Sequence, residues 1–319
     1  ASPGPACYDA GGEAATVTDA SLVLGYLNPL NFASGTLTLN TTRASEVIKA
    51  CVATPLGLTT TQAALGIHAV VNAQMAEALR LVSIRQGYDP RDFALVALGG
   101  AGPVHAAALA EELDIDTVLV PPRPGVLSAE GLLFAPVEHE CARGYPVALS
   151  ALHDAGLRDA FETLDEQCQK LMDAEQLVDK SIHIEHHADV CYVGQSHYLD
   201  VEVDVTANPV STQIEAAFLT AHERVFGYAT QAPARLINIR SIARADSTLP
   251  PPTNIASSTH AEVTWRDVVF GLEQTTTAVV ARATLPAGWQ AKGPTIVEQD
   301  DTTTVVPPGW HARLQASGA

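Results

Sequence analysis

Gly99, Gly100, Ala101 and Gly102 form a stretch almost without side chains. An apolar run, "FALVAL" from Phe93 to Leu98, precedes it, and an alanine-rich helical pattern, Val104 to Leu113, follows it. Glycines at such a junction serve one of two ends. They let the chain turn through left-handed backbone angles, or they let a flat or charged ligand lie against bare backbone. The second end suits the carboxyl edge of an α/β sheet, where ligands bind, and the start of a helix, which favours an anion. The spacing is not the dinucleotide fingerprint GxGxxG, because Pro103 and Val104 follow Gly102. Nor is it the phosphate loop GxxxxGK[ST], because no lysine follows. On spacing alone a tight turn is the simpler reading. His105, in the first turn of the following helix, is placed either to approach a ribose or phosphate or simply to fill that turn.

Other residues with chemical potential are weighed in the same way. His183, His186 and His187, with His197 nearby, are the densest histidine group. Strand alternation sends His183 and His187 one way and His186 the other. A metal needs three or four converging ligands, so a polar strand face is favoured and no metal site is assigned. Asp19 is the one acid in the small, apolar stretch "TVTDASLVLGYL". It either reaches a nucleotide, a metal or a neighbouring lobe, or caps the helix that begins near Ala20. Cys7, in "PGPACYD", has no histidine within its motif to activate it as a nucleophile. Tyr192, Gly194 and Gln195 read as a hairpin turn before they read as a partner contact. No catalytic residue is assigned.

Composition sets the wider limits. The chain has 319 residues and is 47% hydrophobic, enough for packed cores in two or three domains. Its net charge is −18, with 36 acidic and 18 basic residues, which argues against nucleic acid and against an anionic membrane surface. No apolar run approaches the ~18 residues of a membrane helix, and no secretory pattern appears. The five cysteines are scattered without CxxC spacing, which fits a reducing cytoplasm.

The elements that would position these residues follow from periodicity. Pro3, Gly4, Pro5, Gly11 and Gly12 mark an opening loop, an odd start for a domain, and suggest that the chain begins inside one. Ala64, Ile67, Val71, Met75, Ala78 and Val82 predict a helix over 61–85, capped by Thr60 or Thr61 and buried on much of its circumference. Then come strand "FALVALGG", a helix, strand "TVLVPP" from Thr117, and a helix begun by Ser128. Strands apolar on both faces and alternating with helices predict a mostly parallel sheet covered on both sides. Beyond Pro146 the texture changes. Residues 149–178 are amphipathic, with Phe161, Leu164, Cys168 and Leu171 on one stripe. Strands follow over 182–193 and 197–205, then a helix bearing Ile214, Ala217, Phe218, Ala221 and Val225, then a strand over 236–242. "STLPPPTN", Ser247 to Asn254, reads as a connector, and short strands end the chain. Three regions result, 1–145, 146–248 and 249–319.

Several long stretches resemble the hydantoinase A/5-oxoprolinase family. They are "SPGPACYDAGGEAATVTDASLVLGYL", "DPRDF", "ALGGAGPVHAAALAEELDIDTVLVPPRPGVLSAEGLLFAP", "ADVCYVGQSHYLDVEV", "HERVFGY", "INIRSIARA" and "GPTIVEQDDTTTVVPPGW". They cover nearly the whole chain, in order. The resemblance implies an α/β fold, part of the second lobe of an actin-like (sugar kinase/heat-shock-type) ATPase. An α+β domain and a small β-rich segment follow that lobe. It makes Gly99, Gly100, Ala101 and Gly102 a loop that packs on adenosine, with His105 and Asp19 as further candidates. "SAEGLLFA" becomes a helix whose Ala129 and Gly131 permit close packing between lobes. ATP with Mg2+ is the cofactor implied for a full-length protein. The implied chemistry is ATP-dependent opening of a lactam or hydantoin ring, or carboxylation of a ketone. The implied partner is a hydantoinase B-type subunit or domain, and homo-oligomerisation stays open. The family's phosphate-holding hairpin, DxGGTxTD, does not occur in the sequence. The expectation is therefore a C-terminal portion of a larger subunit, inactive by itself.

Overall fold

The computed structural model describes residues 2–177, 181–246, 262–315 and 317–319. The connector expected at Ser247 to Asn254 lies outside the described residues. The chain divides into two compact units. One comprises Ala1–Ile84, Asp89–Leu132 and Pro251–Ala319, the other Arg85–Tyr88 and Leu133–Pro250.

The first stretch is helical. Helix α1 spans Val17–Val23, with Thr16 and Asp19 forming a reciprocal capping box. Helix α2 (Thr41–Ile48) is capped by Asn40 and runs through a π-helical turn into a short α3, Thr54–Leu56. Helix α4 covers Thr60–Val82, and its capping box is Thr59 with Gln62, one or two residues earlier than the sequence suggests. Only Ala63, Ala64, His68 and Ala76 of α4 are buried. Val70 and Val82 are largely exposed, so the expected burial around much of its circumference is not found. The described neighbours α1 and α5 cover one stripe and leave the rest open.

Strand β1 (Leu95–Val96) and strand β2 (Val118–Leu119) form a two-stranded parallel pair, registered Leu95 to Val118 and Val96 to Leu119. Helix α5, Gly102–Glu112, crosses between them, and α6 spans Leu127–Phe134. This is the strand, helix, strand, helix order that alternation predicts, but the strands are much shorter than the apolar runs. The sheet is not covered on both sides either. Val96 and Leu98 are 45% and 48% exposed. Helix α6 buries no residue, and a side chain at Gly131 would meet open space.

The second unit is built on a four-stranded antiparallel sheet. Strand β3 (Glu138–Ala148) leads to helix α7 (Asp154–Ala174), strands β4 (Ile182–Tyr192) and β5 (Leu199–Glu202), helix α8 (Val210–Phe226) and strand β6 (Ala234–Ala245). The order across the sheet is β3-β6-β4-β5. Leu157, Phe161, Leu164, Cys168 and Met172 of α7 meet Ile214 and Phe218 of α8 and Leu236 and Ile239 of β6 in one core. Each large side chain there contributes roughly 1.5–3 kcal/mol by leaving water. The α7 stripe turns at Met172. Leu171, one residue off it, is 44% exposed, which corrects the sequence reading. In β5, Val201 is buried while Asp200 and Glu202 face outward, as alternation requires.

The chain returns to the first unit with β7 (Val263–Phe270), β8 (Glu273–Ala281), β9 (Gln290–Lys292), β10 (Thr295–Glu298), β11 (Thr303–Val306) and β12 (His311–Arg313). One sheet has the order β11-β10-β8-β7, and β12 pairs with β9. Val268, Val279, Ile296 and Val305 share a core with Cys7, Leu22, Leu27 and Val104. The region set apart by sequence as 249–319 therefore completes the unit that contains the glycine loop.

Candidate functional site

The glycine loop sits where the sequence places it, between the carboxyl end of β1 and the start of α5. Ala101 occupies the N-cap position and has no side chain to cap with, and Pro103 stands at the second helical position, where a missing N–H costs nothing. The first turn of α5 is thus entered without the usual side-chain acceptor. Each glycine has its own local reason. Gly99 has φ +83°, a left-handed angle, and the space on its side-chain side is open to 4 Å. Gly100 lies under the carbonyl of Asp301, 3.2 Å from where a Cβ would be. Gly102 needs neither, since a Cβ there would rest 3.8 Å from Ala97.

Two other segments brace the loop. The Gly99 N–H donates to the Pro124 carbonyl at 2.7 Å. The Thr302 hydroxyl donates to the Gly100 carbonyl at 2.8 Å. Asp301 accepts from the Gly125 N–H at 2.8 Å, and a Cβ at Gly125 would come within 2.7 Å of Asp301. The turn between β10 and β11 therefore holds both the glycine loop and the turn before α6. Sequence reasoning did not single out Asp301 and Thr302. The one signal for them is the run "EQDDTTT" inside a stretch already noted for its resemblance.

His105 is buried and engaged elsewhere. Its Nδ1 lies 2.8 Å from Asn72 Oδ1 on α4, and its ring stacks on His68 at 4.8 Å and 23°. His68 Nε2 lies 2.9 Å from Ser21 Oγ, which itself donates to the Val17 carbonyl. The Ser21 hydroxyl hydrogen is thus committed, so His68 donates from Nε2. Asn72 Oδ1 only accepts, so His105 donates from Nδ1. Burial, with His105 second, pushes His68 down to about 4, and burial lowers His105 as well. Both imidazoles are neutral struts that fasten α5 to α4 and α1.

Asp19 is fully buried. Its carboxylate accepts from the Thr16 N–H and hydroxyl and from the backbone N–H groups of Ala6 and Cys7, at 2.7–3.3 Å. Four donors fill its acceptor capacity, and none belongs to the glycine loop. Of the two roles open to it, the structure gives the cap. The Cys7 thiol is buried, and desolvation together with Asp19 raises it to about 12, so it stays protonated. The histidines of β4 diverge as alternation requires. His186 pairs with Asp165, His187 with Asp200 and His183 with Asp246. Among the described residues no group of three or more His, Cys, Asp or Glu is placed to hold a metal ion. The Tyr192 hydroxyl donates to the Thr230 carbonyl and accepts from its N–H, which anchors the turn at Gly194 in the core.

The site thus reduces to the loop 99–102, the open side of Gly99, the uncapped start of α5, and the Asp301–Thr302 brace. Its one carboxylate, Asp301, and its one hydroxyl, Thr302, are engaged in bracing the loop, and the Val104 N–H donates to the Ala101 carbonyl.

Residues 1–141 match the family described as Hydantoinase/oxoprolinase, and residues 150–317 match the Hydantoinase/oxoprolinase C-terminal domain. The chain is 32% identical to caprolactamase subunit alpha of Pseudomonas jessenii over 329 residues, covering 99% of this chain and 47% of that protein. It is 29% identical to 5-oxoprolinase 1 of Arabidopsis thaliana over 355 residues, covering 100% and 26%. Among solved structures, the ATP-dependent caprolactamase from Pseudomonas jessenii superposes with a TM-score of 0.86 at 31% identity, covering 100% of this chain and 48% of that one. A nucleotide-free acetone carboxylase gives a TM-score of 0.69 at 25% identity, covering 98% and 47%. The chain spans half or less of the length of these relatives. No helix among the described residues is long and apolar enough to cross a membrane. In sequence and in mixed α/β architecture, the chain belongs to the hydantoinase/oxoprolinase family.

Proposed function

We propose that this chain is the nucleotide-side portion of an ATP-dependent cyclic-amide hydrolase of the hydantoinase/oxoprolinase type. The observation that carries the reading is the bare loop Gly99–Gly102, open on one side and leading into a helix start with no side-chain cap. Adenosine packs against that backbone, and the first turn of α5 leaves it the Gly102 N–H, since Pro103 has none and the Val104 N–H donates to the Ala101 carbonyl. ATP, with Mg2+, activates the amide oxygen of a lactam or hydantoin by phosphorylation in the complete protein. The residues of this chain present the adenosine wall. Among the described residues no three or more His, Cys, Asp or Glu side chains converge to hold the metal, and no step is assigned to them. A hydantoinase B-type subunit or domain contributes the remaining chemistry, and the likeness to acetone carboxylase keeps ATP-dependent ketone carboxylation as the variant reading.

The test uses Gly102, whose Cβ has room in the protein. Gly102→Ala, made in a complete subunit carrying this segment, should leave the melting temperature unchanged or slightly raised. It should weaken ATP binding at least about tenfold in calorimetric titration, since the added methyl meets the ligand. Unchanged affinity would mean that the loop is a turn and nothing more. Gly100 is the poorer probe, because its Cβ would press on the Asp301 carbonyl.

A second reading, a docking module for a hydantoinase B-type partner, is favoured by a separate observation. Leu132 and Leu133 of α6 are 79% and 78% exposed, and clustered exposed leucines mark contact surfaces. A pull-down between this chain and such a partner, lost on Leu132→Glu, supports that role alongside the first.

A further inference from the structure

A cavity of about 710 Å3 lies along α5 from Pro103 onward, between α5, β2 and the C-terminal strands. Its volume is in the range of small-molecule sites. Ala106, Ala107 and Ala110 form one wall, and small side chains there leave the space open. Trp289 and Trp310 line it too, Trp310 packed on α5 beside Ala110 and donating from its indole to Glu111.

Arg282 also lines the cavity. Its Nη2 donates to the carbonyls of Val120 and Gly318, and its Nη1 to Gln299 Oε1. All three acceptors are neutral. Among the described residues no carboxylate lies within ion-pairing distance of it. Burial pulls Arg282 below the usual arginine range, against an upward pull from Asp301. A guanidinium has five donors, and three are used here. All direct acceptors of this half-buried cation are neutral, with Asp301 acting only at longer range; both Nη2 hydrogens are taken, so the Nε–H and one Nη1 hydrogen remain, each able to make a single charge-assisted bond to a carboxylate. Thr304, whose Oγ1 is shielded and has no hydrogen-bond partner, lines the same space. Glu111, Asp114 and Asp116 line it too. Glu111 accepts from the Trp310 indole, and the other two exclude a polyanion by repulsion.

We infer that this cavity binds a small monocarboxylic acid with a flat apolar body, its carboxylate on Arg282 and its body against the alanine face of α5 and the tryptophan rings. The site is separate from the glycine loop and does not depend on the nucleotide reading.

The 319-residue chain is titrated calorimetrically with phenylacetate and, in parallel, with phenylacetamide, its neutral isostere. The acid should bind saturably at one site and the amide at least about tenfold more weakly, as loss of a charge-assisted pair requires. Arg282→Gln should abolish that preference. Ala107→Leu, which fills the cavity without touching Arg282, should abolish binding of both compounds. Melting temperatures of both variants establish that they are folded, and the acid-against-amide comparison on the unaltered chain needs no variant. No saturable binding of phenylacetate at millimolar concentration, equal binding of acid and amide, or full binding by a folded Ala107→Leu would each overturn the proposal.

Discussion

Asp19 and the two stacked histidines show how residues with chemical potential become structural. Asp19 accepts four hydrogen bonds from Thr16, Ala6 and Cys7 while fully buried. Asp19→Ala strands several of those donors away from water, at roughly 1–3 kcal/mol for each left unsatisfied. A loss of at least about 2 kcal/mol in urea unfolding is expected, and a change under about 0.5 kcal/mol would show that the cap is dispensable. His68 makes a pH prediction. Its ordinary value of 6.5 falls to about 4 in the folded chain. Between those values the unfolded chain takes up a proton that the folded chain does not. Stability is therefore full above pH 6.5 and declines as pH falls toward 4, by up to about 3 kcal/mol. His105, lowered for the same reason, adds in the same direction. His68→Gln keeps a donor for Ser21 and cannot titrate, so it should flatten the melting-temperature profile between pH 6.5 and 4. An equally steep profile in the variant would assign the effect to other groups.

At the scale of elements, the glycine loop is held by a turn 200 residues away. Thr302→Val keeps the shape of the side chain and removes the hydroxyl that donates to the Gly100 carbonyl. A stability loss of about 1 kcal/mol is expected. Amide hydrogen exchange should rise at Gly99–Gly102 and not at β4 of the other unit. Uniform acceleration would mean that the loop has no local brace. This contact also marks the limit of what the sequence conveys. Helices α4, α5, α7 and α8 are legible because their burial repeats every three or four residues. So is β5, because Val201 and Asp200 alternate. The glycine loop is legible because few other residues tolerate the φ of Gly99. The brace is not, because Asp301, Thr302, Gly100 and Gly125 meet without any repeating spacing. The apolar runs around β1 and β2 predict long, covered strands. Only two residues of each pair, because each has the other as its one described neighbour, and Leu98 runs on past the pairing. Counting three from Cys168 puts Leu171 on the α7 stripe, whereas the helix counts four to the buried Met172.

At the scale of the whole molecule, the second unit carries its own sheet and core. Residues 133–246 expressed alone should therefore melt cooperatively by circular dichroism, and a featureless melt would show that the unit depends on the remainder. The first unit poses the functional question. It has bare backbone at Gly99–Gly102, neutral struts at His68 and His105, and a filled carboxylate at Asp19. Phosphoryl transfer needs more than a wall for adenosine. The γ-phosphate must be held in line with its acceptor and its charge neutralised, and most of the rate comes from that positioning. The sequence has neither a DxGGTxTD hairpin nor a lysine following the glycine loop. The 319-residue chain should therefore bind adenine nucleotides without turning them over. Its affinity for ATP and for adenosine should be similar, because the phosphates find no dedicated partner. A phosphate-release assay with the purified chain, run beside a Gly102→Ala control, decides the matter. Release above the blank that falls in the control would falsify the division of labour proposed here and place the phosphate-handling groups within these residues. Binding of ATP much tighter than adenosine, without turnover, would place part of them here.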